Sequence, residues 1–130
     1  TIYEDAHIFA TGLYKSGIMK SREFENYWGV YQTLLRFVAP PDVLIYLKGD
    51  IPTLMEQIKR RGRSYEQSLE AYVTDLNEHY ENWIKSYTES PLIVYDITKA
   101  DFLRSEQDWQ SLIDQLDEVL GQTIREKSVQ

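Results

Sequence analysis

The densest chemistry in the chain is Lys59-Arg60-Arg61-Gly62-Arg63, which puts four of the 14 Lys and Arg residues into five positions. Arginine forks match phosphate oxygens two at a time and neutralise charge on a phosphoryl group in transfer. Gly62, between Arg61 and Arg63, would let the chain turn so that both point at one ligand. The same cluster also fits the ordinary end of a helix, where cations complement the dipole and the last carbonyls. On spacing alone both readings stand. Ser64 and Glu66 follow at once, so the segment has the makings of a lid between two helices. Glu66 and Asp5 are candidate site carboxylates, and each also suits the first turn of a helix. Gly12 and Gly17 have the G-x-x-x-x-G spacing of a phosphate loop. Ile18 and Met19 follow where Lys and Ser/Thr are needed, and no strand precedes them, so the match is rejected. No other phosphate loop is available among the six glycines.

Composition narrows the ligand. The 130 residues suit one domain with a moderate core, and 42% hydrophobic against 27% charged residues is ordinary globular composition. With 14 Lys and Arg against 21 Asp and Glu, the net charge is −7, a balance that repels nucleic acid and anionic lipid. A local positive site on such a surface suits a small anion. Absence of cysteine excludes disulfides, thiolate metal sites and cysteine nucleophiles, and fits a cytoplasmic protein. His7 and His79 lie far apart in sequence, so no histidine-rich metal site is expected. No apolar run is long enough to span a membrane.

The elements that must position these residues follow from periodicity. Residues 3–16 read as a helix stopped by Gly17. Ser21 is the candidate N-cap of a second helix, whose apolar face runs from Phe24 through Tyr27, Trp28, Tyr31, Leu34 and Leu35 to Val38 before Pro40-Pro41 ends it. Val43–Leu47 reads as a strand buried on both faces. Asp50 caps a helix with the stripe Ile51, Leu54, Met55 and Ile58, which runs into the basic cluster. Ser64 and Gln67 match a capping box for a long helix carrying Leu69, Tyr72, Val73, Leu76, Tyr80, Trp83, Ile84 and Tyr87. Residues 92–97 form a second buried strand, and Ser105 caps a last helix with Trp109, Leu112, Ile113, Leu116 and Leu120. Trp28, Trp83 and Trp109 sit on helical stripes and read as core, and residues after Gly121 read as a polar, frayed tail. Alternating strands and helices predict an α/β layer fold with parallel strands. Two strands are too few for a covered parallel sheet, and the chain opens on Thr1 in text that already reads as structured, so partner strands are expected upstream.

Five segments, in order, resemble the deoxynucleoside kinase family. Residues 1–10, Thr1-Ile2-Tyr3-Glu4-Asp5-Ala6-His7-Ile8-Phe9-Ala10, are similar to the stretch around the serine that ends the family's Glu/Asp-Arg-Ser motif, with Thr1 in place of that serine but keeping the hydroxyl. Residues 41–47 resemble its fourth strand, 61–66 its arginine-rich lid, 76–84 the helix after the lid, and 96–102 the loop near the adenine of ATP. The likeness is strongest to the bacterial deoxyadenosine/deoxyguanosine kinases.

The resemblance implies a P-loop kinase-like three-layer α/β fold with a parallel sheet, of which this chain supplies about two strands and five helices. Residues 1–121 would be the C-terminal part of one kinase domain, with a lid at about 59–67 and a polar tail at 122–130. The implied activity is ATP- and Mg2+-dependent phosphorylation of the 5′-hydroxyl of deoxynucleosides, purines favoured, in nucleotide salvage. Arg61 and Arg63 would embrace the ATP phosphates, while Tyr3, Asp5, Phe9 and Glu66 would hold the nucleoside, Glu66 at its 3′-hydroxyl. Asp101 and Phe102 would lie under the adenine through their backbone. A homodimer through helices 3–16 and 21–38 is implied, with no nucleic-acid or membrane partner and no metal ligand in this chain. The phosphate loop, the general-base glutamate and the motif arginine would precede Thr1, so this chain alone is expected to be inactive. The alternatives are a non-catalytic dimerisation or binding subunit and a nucleoside-monophosphate kinase relative; the Tyr3-x-Asp5 and Ile8-Phe9 pattern argues against the latter.

Overall fold

In the computed structural model, residues 1–62 and 67–129 are described, with side chains for 1–62 and 69–122. The lid residues Arg63 and Glu66, and the expected cap Ser64, lie outside the described residues. The chain divides into two units, residues 1–40 with 74–86 and residues 41–73 with 87–130.

In the first unit the Thr1 hydroxyl accepts the Glu4 N–H at 3.3 Å and starts helix α1, residues 2–15. The helix is regular over Ile2–Glu4 and Thr11–Lys15 but is wound in the wider i→i+5 π register over Asp5–Ala10, which periodicity did not reveal. Gly17, at φ +81°, ends it: its N–H meets the Tyr14 carbonyl at 3.1 Å and the Met19 N–H meets the Leu13 carbonyl at 3.0 Å. Helix α2, Ser21–Leu35, is capped one residue earlier than expected, at Lys20, whose N–H is accepted by the Glu23 carboxylate at 3.0 Å. It also closes three residues before Val38. Tight bonds from Arg36 N–H to the Thr33 carbonyl and Phe37 N–H to the Leu34 carbonyl wind it down, and Pro40-Pro41 forbids its continuation.

In the second unit strands β1, Leu44–Lys48, and β2, Leu92–Asp96, pair in parallel, from Leu44 opposite Leu92 to Lys48 opposite Asp96. Ile93 and Tyr95 of β2 are buried with Leu112, and Val43, Ile45, Ile97, Ala100, Phe102, Leu116 and Val119 pack around them. The expectation of burial on both faces is corrected: Val94 is 48% exposed and Leu47 47%. Only the face bearing Ile93 and Tyr95 meets Leu112, so β2 alternates as a one-sided strand does.

Helix α3, Ile51–Arg60, leaves β1 through Gly49, which is needed because a Cβ there would come within 3.0 Å of Ile97 Cγ1 and 3.2 Å of Leu54 Cδ2. Asp50 caps α3, its carboxylate accepting the Thr53 N–H at 2.8 Å, while its own N–H donates to Thr98 Oγ1 at 2.9 Å. Helix α4, Gln67–Ser86, is shared between the units, and α5, Glu106–Val129, is capped by Ser105 Oγ, which accepts the Asp108 N–H at 3.2 Å. Two corrections concern α5. Its helix runs past Gly121 to Val129 instead of fraying at 122, since one glycine costs a helix about 1 kcal/mol and the neighbours are helix formers. Trp109 is 49% exposed instead of core. Its ring lies 6.3 Å from Phe102, at the margin of the packed cluster. In α4, Tyr72 likewise departs from the expected stripe at 57% exposure, while Val73, Trp83 and Ile84 are buried. The α/β reading with two parallel strands and five helices stands.

The Asp50 cap makes stability pH-dependent. Its bonds to Thr53 hold the carboxyl below the usual carboxylate range, against a small opposing effect of desolvation. A depressed folded pKa stabilises above the unfolded value of about 3.9 and ceases to as pH falls through the folded one. Thermal unfolding of Asp50→Ala should therefore show a lower Tm than the native chain at neutral pH, with the gap closing as pH falls below about 4. A gap independent of pH would remove the cap from this role.

Candidate functional site

The basic cluster sits where α3 ends. Arg60 Nη2 is 2.7 Å from Glu56 Oε1 one turn back, an exposed surface pair of small energetic consequence. Arg61 is the C-cap and is exposed. Gly62 then adopts φ +81°, its N–H meeting the Lys59 carbonyl at 3.0 Å. The cluster ends a helix, and the glycine turns the chain at the residue after Arg61.

The expected nucleoside residues Tyr3, Asp5 and Phe9 all lie on α1. Tyr3 is 5% exposed, and Ala6, Ile8 and Ala10 are buried as well. Asp5 and Phe9 stay accessible, Phe9 at 43%, and lie four residues apart in a segment whose Ala6, Ile8 and Ala10 are buried. Tyr27 of α2 lies near Asp5: partial burial first, and then the Asp5 charge, push its phenol pKa up. The phenol keeps its proton at neutral pH, so a neutral hydroxyl and a carboxylate share this neighbourhood.

Asp101 and Phe102 belong to the loop after β2. Asp101 shapes it: its Oδ1 accepts the Leu103 N–H at 3.1 Å, and its own N–H donates to Asp108 Oδ2 at 2.9 Å. The Phe102 ring is turned into the core, edge-on to Tyr95 at 5.4 Å. That leaves backbone, not side chain, as the part of Phe102 the loop can offer. The Tyr95 hydroxyl beneath it is buried without a hydrogen bond of good geometry. Burial, then Asp108 and Asp101, raise its pKa, and the nearby Phe102 N–H pulls it part of the way back. Among the described residues no three His, Asp or Glu side chains are placed to hold a metal ion. No helix among the described residues is long and apolar enough to cross a membrane.

Comparison with known proteins gives one consistent answer. The deoxynucleoside kinase family model matches residues 1–121. The deoxyadenosine/deoxycytidine kinase of Bacillus subtilis is 32% identical over 123 residues, covering 92% of this chain and 57% of the relative. The deoxyadenosine kinase of Lactobacillus acidophilus is 32% identical over 130 residues (92% and 60%), and the deoxyguanosine kinase of the same organism 32% over 126 residues (89% and 55%). The chain therefore spans rather more than half the length of the curated relatives it matches.

What the sequence did not disclose is the aromatic cluster behind α1. His7 lies edge-on to Trp28 at 5.2 Å and to Tyr31 at 5.6 Å, and stacks on Trp83 at 6.2 Å. Its Nε2 is 3.1 Å from the buried Tyr31 hydroxyl. His7 and His79, distant in sequence, line one open groove of about 440 Å3 with Thr11, Lys15 and Trp83. The available signal was the phase of His7, on the opposite side of α1 from Asp5 and Phe9. Tyr31→Phe keeps the ring and deletes this bond, and should cost about 0.5–1.5 kcal/mol. Urea unfolding should read that as a lower midpoint with an unchanged slope, and an unchanged midpoint would show the bond to be idle.

Proposed function

The chain belongs to the deoxynucleoside kinase family, and from that membership we propose that residues 1–121 are the C-terminal part of a kinase that phosphorylates deoxynucleosides. The 5′-hydroxyl oxygen attacks the γ-phosphorus of ATP, the bond to the β,γ-bridging oxygen breaks, ADP leaves, and the hydroxyl proton passes to a general-base carboxylate expected outside this chain. The observation that carries this reading is the family match over residues 1–121. Relatives named for deoxyadenosine and deoxyguanosine, and one for deoxyadenosine and deoxycytidine, support a purine preference.

The roles follow from chemistry. Catalysis of phosphoryl transfer is mostly positioning and charge stabilisation. Arg61, turned at Gly62, and Arg63 supply positive charge to the phosphates, and closing the segment 59–67 excludes water that would otherwise hydrolyse ATP. Glu66 accepts the sugar 3′-hydroxyl. Tyr3, Asp5 and Phe9 form the base pocket, with Asp5 accepting from the polar edge of the base and Phe9 offering its exposed ring. The 97–105 loop presents the backbone of Asp101 and Phe102 to the adenine. Magnesium would travel with the nucleotide and be held mainly by residues upstream of this chain. The phosphate loop would be supplied N-terminal to this chain, which alone would transfer no phosphoryl group. Exposed Val30, Leu34 and Phe37 on and just after α2, with Leu13 and Tyr14 of α1, support a homodimer through helices 3–16 and 21–38. A cytoplasmic location suits this reading.

Two experiments on the complete kinase test it. Arg61→Ala and Arg63→Ala should each lower kcat by about 10²-fold or more, as loss of other charge-stabilising groups does. Steady-state kinetics with kcat intact in both would refute the clamp. Asp5→Ala should change the ratio of kcat/KM for deoxyadenosine over deoxycytidine by about tenfold, the scale set by an unpaired polar group in a specificity pocket. An unaltered substrate profile would remove Asp5 from base recognition.

A further inference from the structure

Asp5 and Phe9 lie in an unusual stretch of backbone, the π-wound segment Asp5–Ala10. An i→i+5 turn takes in one residue more than an α-turn, is rare, and often marks a functional position. One extra residue also rotates everything on its N-terminal side by about 100° relative to an uninterrupted α-helix. The orientation of Asp5 relative to the rest of α1 is therefore a property of the register.

One side chain hydrogen-bonds across that register. The Thr11 hydroxyl donates to the Ala6 carbonyl at 2.9 Å, and the Thr11 N–H is directed at the same carbonyl. A threonine in an α-helix turns its hydroxyl to a carbonyl three or four residues back, which here would be Ile8 or His7. Reaching back five residues requires the wider turn. Ala6 is fully buried, so water does not compete for its carbonyl. Without the hydroxyl, nothing specific on this side chain would oppose rewinding of Asp5–Ala10 into the α register.

We propose that Thr11 is a positioning residue for base recognition: its hydroxyl, bonded to the Ala6 carbonyl, holds the π register that sets the orientation of Asp5 relative to the rest of α1. This rests on the reading of Asp5 and Phe9 as base-pocket residues, and it adds a residue that touches no substrate.

The test is kinetic and uses the complete kinase with deoxyadenosine and ATP as substrates. Thr11→Val, nearly the same shape without the hydroxyl, should raise KM for deoxyadenosine by about tenfold while KM for ATP and kcat stay within about twofold. Thr11→Ser, which keeps the hydroxyl, should return that KM to within about twofold of the native value. Thr11→Ala carries the same expectation as valine and favours a helix, so it serves if the valine variant is insoluble. A native KM for deoxyadenosine in a folded hydroxyl-free variant overturns the proposal. So does an equal rise in KM for both substrates, or failure of both hydroxyl-free variants to fold, because either makes the bond purely structural. Asp5→Ala, measured alongside, separates the two readings. If it leaves the base profile unchanged, the base-pocket reading falls and this inference with it. If it shifts the profile while Thr11→Val behaves as native, only the role of Thr11 falls.

Discussion

Parallel pairing of β1 with β2 is the constraint that shapes the second unit. Parallel strands cannot be joined by a tight turn, so the chain must leave the end of one and travel back to the start of the next. Here that journey is residues 49–91, and it carries α3, the basic cluster and α4. The pairing also brings Lys48 and Asp96 level, so the segments leaving both strands emerge at one end of the sheet. In open α/β sheets that carboxyl end is where ligands bind. Asp50 and Thr98, each just past its strand, are joined there by a 2.9 Å hydrogen bond, and Gly49 lets Ile97 and Leu54 close over the junction. The start of α3 and the loop leading to Asp101 and Phe102 are thus fixed to each other by a backbone-to-hydroxyl bond and by the packing of short side chains at Gly49. Neither depends on long, flexible side chains.

In the first unit the corresponding constraint is aromatic. A helix buried at Tyr3, Ala6, Ile8 and Ala10 has little freedom to roll. His7 is held by two edge-on contacts, one stacked ring and the Tyr31 hydroxyl, which adds a directional bond to a non-directional packing. With one side of α1 fixed in this way, Asp5 and Phe9 are left on its accessible side. Small residues at positions 6 and 10 allow close approach on the fixed side.

Most of this architecture was legible in the sequence because its signals are local. Gly17 and Gly62 announce positive φ, Asp50 and Ser105 announce caps, and the two apolar runs announce strands. The misreadings share a cause. Ser21 looks like a cap, yet Glu23 reaches back to the Lys20 N–H, and that reciprocal bond decides the first helical residue. Val94 and Leu47 look like core because β-branched and leucine side chains suit strands. Whether a strand is covered on one face or two depends on what packs there, and composition does not encode it. The π register of Asp5–Ala10 is the least legible feature, because Thr11 looks ordinary until its hydroxyl is seen to reach Ala6.

The charge balance makes sense only at the scale of single turns. A net charge of −7 disfavours approach of an anion to the surface at large, but at physiological salt the interaction fades over about 8 Å. A ligand within reach of Arg61 therefore responds to the neighbouring residues more than to the total. Within that radius the cations are not equivalent. Arg60 spends its guanidinium on Glu56, which partly neutralises the last turn of α3, whereas Arg61 stands at the C-cap and is followed by a glycine in the left-handed region. The C-terminal dipole of α3 favours a cation there, which stabilises Arg61 in place without consuming its hydrogen-bonding fork. A helix end that would otherwise repel an anion thereby carries an exposed guanidinium at its tip. The acidic remainder of the surface then disfavours the long polyanions that such a group would otherwise attract.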